Sequence, residues 1–329
     1  MRTAREILVA LALSLISVSA LAQGTAGQAG AYPSRAIRLV VPYAAGGVSD
    51  IMGRVLGQKM AELLGQSIVV DNRGGAGGTL GTEIVAKAAP DGYTIVLSSL
   101  APFAIGPNMI KNVAYDPVKD FSAIGGVAIA PNILTVNASA PFQSLRELVN
   151  YAKANPGKLS FGSSGVGSIG HLSGEVLRTS VGAEMVHVPY KSAGLAYPDM
   201  FSGSVSMVFD TLPSAIQHIR SGRARSIAVL SDKRSPLLPD VPTFAEAGFP
   251  ESTLRFWFGL HGPANMRPAI VQKLNETLMK ALAAPDLRER FSVLGAEPYP
   301  ISPRELVELT RNDVEKLAQA MKAAGIKPE

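Results

Sequence analysis

The residues best suited to chemistry in this chain lie in two loops rich in glycine and hydroxyl groups. One is Pro42-Tyr43-Ala44-Ala45-Gly46-Gly47-Val48-Ser49-Asp50. The other is Gly162-Ser163-Ser164-Gly165-Val166-Gly167-Ser168-Ile169-Gly170-His171. Each follows a β-branched run and precedes apolar residues at helical spacing. Glycine lets a backbone approach a ligand closely and turn its amides toward it. The first turn of a helix leaves N–H groups unpaired, and the helix dipole favours negative charge there. Both loops therefore read as receptors for a carboxylate that need no cationic side chain. A plain structural role also fits them, with Ser49 as an N-cap and Asp50 as a favourable first-turn charge. A third loop, Arg73-Gly74-Gly75-Ala76-Gly77-Gly78-Thr79, reads as a device for tight loop-to-helix packing, with anion contact as the alternative.

Other chemistries find little support. Gly165-x-Gly167-x-x-Gly170 matches a dinucleotide fingerprint, but no acidic residue closes the following strand, Val186-His187-Val188-Pro189-Tyr190; Glu184 precedes it. The four histidines, His171, His187, His218 and His261, lack metal-ligand spacing, and phosphate-loop, zinc-protease and calcium-loop motifs are missing. No cofactor and no metal site are expected. A Ser-His-Asp set needs proximity only in space, so a secreted hydrolase using Ser163 or Ser164 with His171 stays open. The net charge is +5 with the basic residues scattered, which argues against a nucleic-acid face. The chain has no cysteine, hence neither a disulfide nor a lipid-modified N-terminal cysteine.

The elements that must position these loops follow from periodicity. Ile37–Val41, Ile68–Val70 and Tyr93–Leu97 read as strands, with helices over Asp50–Leu64 and Thr79–Ala88 between them. This order implies a parallel sheet covered by helices. A second α/β unit follows, with strands at Ile133–Val136, Leu159–Phe161, Val186–Tyr190, Val205–Asp210 and Ser226–Leu230. Ser144-x-x-Glu147 and Ser302-x-x-Glu305 are capping boxes opening helices. Helices begin at Pro268 and after Pro285, and another runs from Ser302 to about Ala324. Without strands of their own, these three are expected to pack back on the first unit.

The N-terminus reads as a secretory signal. Arg2 and Arg5 precede an apolar run, Ile7–Leu21, too short to span a membrane, and Ala20-Leu21-Ala22 offers small residues for cleavage. Export to the periplasm, as a soluble monomer, is expected. The expected organisation is a signal peptide over 1–22, a leader over 23–31, a first lobe over 32–129 plus 258–329, and a second lobe over 130–257.

The chain resembles the Bug-type, or tripartite tricarboxylate transporter, substrate-binding proteins over nearly all of its expected mature length. The resemblance rests on Ile37-Arg38-Leu39-Val40-Val41-Pro42, Val70-Asp71-Asn72-Arg73, Ala89-Pro90-Asp91-Gly92-Tyr93-Thr94, Tyr115-Asp116-Pro117, Val186-His187-Val188-Pro189-Tyr190-Lys191, Phe209-Asp210 with Leu212-Pro213-Ser214, and Trp257-Phe258-Gly259, in that order. It implies a type II periplasmic-binding-protein fold, two α/β lobes closing about a hinge as a Venus flytrap. It implies a small carboxylate ligand (a mono-, di- or tricarboxylate, an aromatic acid or an amino acid) and two integral membrane transporter subunits as partners, or a sensing system instead. The site it implies comprises Tyr43, Ala45, Gly46, Gly47, Ser49 and Asp50 from the first loop, with Ser98. The second loop adds Ser163, Gly165, Val166, Gly167, Ser168 and His171, and the cleft is completed by Tyr190, Lys191, Ala193 and Asp210. The chain departs from the family at Ala44-Ala45, where prolines are common, at Ser49, Ser192 and Ala196, and over Ser98–Pro102. Those positions bear on ligand identity. The expected function is solute capture without turnover.

Overall fold

The β-branched runs form strands and the 3.6-residue runs form helices. In this computed structural model, which describes residues 32–250, 255–323 and 325–328, β1 (Ile37–Val41) pairs in parallel with β2 (Ile68–Asn72) and β3 (Thr94–Ser99). Helix α1 (Val48–Leu64) joins β1 to β2 and stops at Gly65, whose φ is +67°. Helix α2 (Thr79–Ala86) joins β2 to β3. A helical stretch over Ala101–Ile105 continues into α3 (Gly106–Met109). The expected signal peptide and leader lie outside the described residues. The chain divides into Met1–Ser34 and a unit, Arg35–Glu329, that carries every element named here.

Three strands were not legible in the periodicity, the last of them only two residues long. β4 (Phe121–Ile129) and β10 (Trp257–Pro263) run antiparallel to each other, and β10 also runs antiparallel to β3. With β11 (Glu297–Pro298) they give sheet 1 the order β11-β4-β10-β3-β1-β2. The sheet is mixed, where a parallel one was expected. Gly125, Gly126, Gly259 and Gly262 interrupt the β-branched pattern because chain lies over the sheet there. A methyl group on Gly126 would sit 2.4 Å from the Tyr299 carbonyl oxygen.

Sheet 2 has the order β7-β6-β8-β5-β9. Its strands are β5 (Asn132–Asn137), β6 (Leu159–Ser163), β7 (Met185–Pro189), β8 (Met207–Thr211) and β9 (Ala224–Leu230), connected through α4 (Leu145–Ala154), α5 (Ile169–Val181), α6 (Tyr197–Ser202) and α7 (Leu212–Arg220). β6 is parallel to β7 and β8, while β5 is antiparallel to β8 and β9. Alternation along β8 sends Phe209 into a core with Phe161 and Leu177, and Val208 into another with Tyr197 and Leu212. The sheet is thus buried on both faces.

The chain crosses from sheet 1 to sheet 2 at Ala130-Pro131 and returns at Trp257. The crossings lie side by side, and the Ala130 N–H donates to the Phe256 carbonyl at 3.1 Å. The last helices, α8 (Pro268–Ala283), α9 (Pro285–Leu294) and α10 (Pro303–Ala323), cover sheet 1. Asn275 donates to the Ile124 carbonyl, and Trp257 Nε1 donates to Asp313 at 2.7 Å. The Ser302 capping box forms in full and the Ser144 box in one half. Ser144 Oγ accepts from the Glu147 N–H, and Ser302 Oγ accepts from that of Glu305. Glu305 returns to the Ser302 N–H, but Glu147 reaches one residue further, to Gln143. No described helix is long and apolar enough to cross a membrane.

Candidate ligand-binding cleft

The two sheets face each other across a cleft of about 40 Å³, walled mainly by the starts of helices. Gly47, Val48 and Ser49 bring the first turn of α1, Ile169 and Gly170 that of α5, and Thr211 and Ser214 that of α7. Ser192 and Ala193 add the short helical turn Ala193–Ala196. Helix starts present unpaired N–H groups and the positive end of the dipole. Among the described lining residues no lysine, arginine or histidine is present; the ionisable ones are Tyr43 and Asp210. The wall suits an anion held by backbone dipoles.

The first loop is braced from within. Helix α1 starts at Val48 with Gly47 as its cap, so Ser49 is not the N-cap expected; it lies in the first turn, buried and lining the cleft. Asp50 turns into the loop, accepting from the Gly46 N–H at 2.9 Å and pairing with Arg54 at 2.9 Å. Burial pushes its pKa up, but these donors pull harder and leave it below the usual carboxylate range. Its charge is thereby spent on the loop. Tyr43 lines the cleft and its hydroxyl donates to the Gly77 carbonyl at 3.0 Å; burial raises its pKa to about 12. Ala45 and Gly46 are exposed at the rim.

The second loop hangs on Ser163, which is fully buried at the end of β6. Its Oγ accepts from the Gly165 N–H at 3.1 Å and the Ser168 hydroxyl at 3.2 Å, and lies 2.7 Å from His187 Nε2. Ser168 caps α5 by accepting from the His171 N–H at 3.2 Å. His171 Nδ1 in turn accepts from the Gly167 N–H. The rings of His171 and His187 stack at 3.9 Å, and Phe161 lies against the far face of His187 at 5.0 Å. Burial lowers both imidazoles to about 4, so they stay neutral near pH 7. The imidazole on Ser163 is therefore that of His187, not the His171 weighed for a hydrolase. Both histidines stiffen the loop from behind.

The third glycine loop touches the second across the cleft. A methyl group on Gly77 would stand 2.4 Å from the Val166 carbonyl oxygen, and one on Gly167 would meet Ile110 at 2.7 Å. The third glycine loop is a contact between the two walls of the cleft.

The remaining expected residues divide clearly. Ala193 and Asp210 line the cleft. Ser98 does not: it is fully buried in sheet 1, donating to the Gly259 carbonyl at 2.8 Å, with His261 Nδ1 at 2.7 Å. Tyr190 turns its hydroxyl to Asp199 at 2.5 Å, and Lys191 is exposed. Sequence reasoning missed Asn132, Ser192, Phe209, Thr211, Ser214 and Phe256 as lining residues, and within the two loops it left out Val48, Ser164, Ile169 and Gly170. Val205–Asp210 was expected as a strand, and Phe209-Asp210 with Leu212-Pro213-Ser214 only as a family motif; the helix α7 that follows was not expected, and Asn132 carries no local signal.

Two of the lining residues hold unspent polarity. Asn132 is 1% exposed, and neither its Oδ1 nor its Nδ2 has a hydrogen-bond partner among the described residues. Asp210, 6% exposed, accepts from the Thr211 N–H through Oδ1, while Oδ2 is buried without a partner. Burial raises the Asp210 pKa to about 6, against the pull of the Ser214, Thr211 and Tyr197 groups. A carboxyl raised on folding costs stability above that pKa, and the cost disappears as pH falls toward 4. Asp210→Asn is expected to stabilise the ligand-free protein by about 1–3 kcal/mol at pH 8 and by nothing at pH 4. Urea melts at the two pH values read this directly, and an equal effect at both would count against it.

Comparison with known proteins agrees with this architecture. The profile of the tripartite tricarboxylate transporter family receptor matches residues 52–326. The periplasmic binding protein BugD superposes with a TM-score of 0.87 at 36% identity, covering 91% of this chain and all of its own. An R. palustris protein solved with adipate gives 0.87 at 34% identity, covering 91% of this chain and 100% of that one. MatC from Rhodopseudomonas palustris, with bound malate, gives 0.84 at 32%, covering 88% of this chain and 99% of that one. The fold is the two-lobed periplasmic-binding-protein fold.

Proposed function

The chain belongs to the tripartite tricarboxylate transporter family of receptors, periplasmic solute-binding proteins rather than enzymes, and from that premise we propose that it captures a small carboxylate between its lobes and passes it to membrane transport subunits. The observation that carries the reading is the convergence of the α1, α5 and α7 starts on a cleft whose described lining has no basic side chain. Backbone dipoles then hold the carboxylate. The solved relatives with adipate and malate support a carboxylic acid as ligand.

The finer assignment follows the same lines. Residues 1–22 act as a signal peptide and 23–31 as a leader. Residues 32–129 with 257–329 form one lobe and 130–256 the other, one residue from the boundary expected from the sequence, because Trp257 pairs with Ile129 in sheet 1. The paired crossings at Ala130 and Phe256 serve as the hinge. Gly47, Ser49, Ile169, Gly170, Ala193 and Thr211 contact the ligand, with Asn132 and Asp210 at its polar end. Two integral membrane subunits receive it from a monomeric carrier.

Purified protein, unfolded and refolded to remove any co-purified acid, tests the reading in a melting assay with malate, adipate, benzoate, succinate and aspartate. An acid present at 100 times its Kd adds about 2.7 kcal/mol, which for a chain of this size is a rise of roughly 5–10 °C. A melting temperature that none of the acids moves would sink it.

A further inference from the structure

We propose that the ligand is a carboxylic acid carrying a hydrogen-bond donor of its own, an ammonium or hydroxyl group, and that Asp210 and Asn132 select for it. The inference rests on the carboxylate reading above and narrows it. The backbone N–H groups at the helix starts only donate, and they account for a carboxylate; the Ser49, Thr211 and Ser214 hydroxyls beside them can donate or accept. Asp210 Oδ2 and Asn132 Oδ1 are acceptors buried at the same cleft; no donor reaches Asn132 Oδ1 among the described residues, and Asp210 Oδ2 lacks a well-aligned one although the Ser214 and Tyr197 hydroxyls lie beside the carboxyl. Asp210 is the second-last residue of β8 and Asn132 begins β5, and the paired strands set Asn132 opposite Thr211, next to Asp210. An alkyl dicarboxylate would bring a second anion, or a methylene, to this pair. A donor on the ligand would instead satisfy both acceptors, while Asn132 Nδ2 remains to donate to the carboxylate. Sites built around buried polar groups reject analogues that leave those groups unpaired, by factors far larger than a missing methylene gives.

Three matched series test this by calorimetry at pH 7.5: succinate, malate and aspartate; glutarate, 2-hydroxyglutarate and glutamate; propionate, lactate and alanine. Adipate and benzoate serve as unsubstituted controls. In at least one series the unsubstituted acid is expected to bind about 100-fold more weakly than a donor-bearing member. The better of the amino and hydroxy acids identifies the donor. In Asp210→Asn the preference of an amino acid over its unsubstituted analogue should fall at least tenfold; in Asn132→Leu the preference for either donor should fall by as much. These ratios within a series cancel any general loss of folded protein. Unsubstituted acids binding as tightly as their substituted partners in every series would overturn the proposal and leave the carboxylate reading standing. Binding to none of the acids would end both.

Discussion

Gly77→Ala is expected to lower ligand affinity by about 100-fold or more while the protein still folds. Gly77 has φ +61° and lies against the opposite lobe, where a methyl group would stand 2.4 Å from the Val166 carbonyl oxygen and 2.8 Å from the Gly167 carbonyl carbon. These are backbone atoms of a loop held by Ser163 and Ser168, so they cannot swing aside as a side chain would. The relief available is separation of the lobes, which removes the closed form. Loss of about 3 kcal/mol of closure corresponds to roughly 100-fold in Kd, and alanine in the left-handed region adds about 1–2 kcal/mol of local strain. Gly75→Ala is the control. It is also strained, at φ +142°, but its methyl would meet only the flexible Leu80 side chain of its own lobe, at 2.6 Å. It should lose stability and retain affinity. Calorimetry with the tightest acid found for the wild type, beside thermal melts, separates the two effects. Wild-type affinity in Gly77→Ala would show that the closed contact does not contribute to binding.

Gly174→Ala is expected to be the more damaging change for folding. Gly174 lies in the second turn of α5, directly over Phe161 of β6. An added methyl would be 2.2, 2.5 and 2.6 Å from three carbons of the Phe161 ring. That ring is fully buried, between His187 at 5.0 Å and Phe209 at 5.9 Å, so it has nowhere to go. Overpacking of this kind costs about 3 kcal/mol or more. Any relief lifts α5 from the sheet and carries its N-terminal turn, with Ile169 and Gly170, out of the cleft. The double variant with Phe161→Leu should recover part of the loss, because the two substitutions act on one volume. A Gly174→Ala protein that melts with the wild type would refute the packing argument.

Much of the fold was legible in the sequence because its causes are local. Val–Ile runs and 3.6-residue spacing set the strands and helices around both loops, and Ser302 with Glu305 closes its box within four residues. β4 and β10 were not legible. Their glycines answer to chain packed over them, such as Tyr299 against Gly126, far away in sequence. The site shows the same division. Glycine-rich junctions such as Gly46-Gly47 and Gly165–Gly170 announce themselves by composition. Residue type alone did not reveal that Ser98 is spent on Gly259 and His261, 161 and 163 residues away, or that Asp50 is spent on its own loop.

Local patterns in the sequence were enough to predict α/β elements around two glycine-rich loops and to carry the ordered motifs of the family. The tertiary structure decided which polar groups are left for a ligand. Whether a buried donor or acceptor is satisfied depends on what the rest of the chain brings within 3 Å of it. Asn132 and Asp210 owe their unpaired atoms to that arrangement.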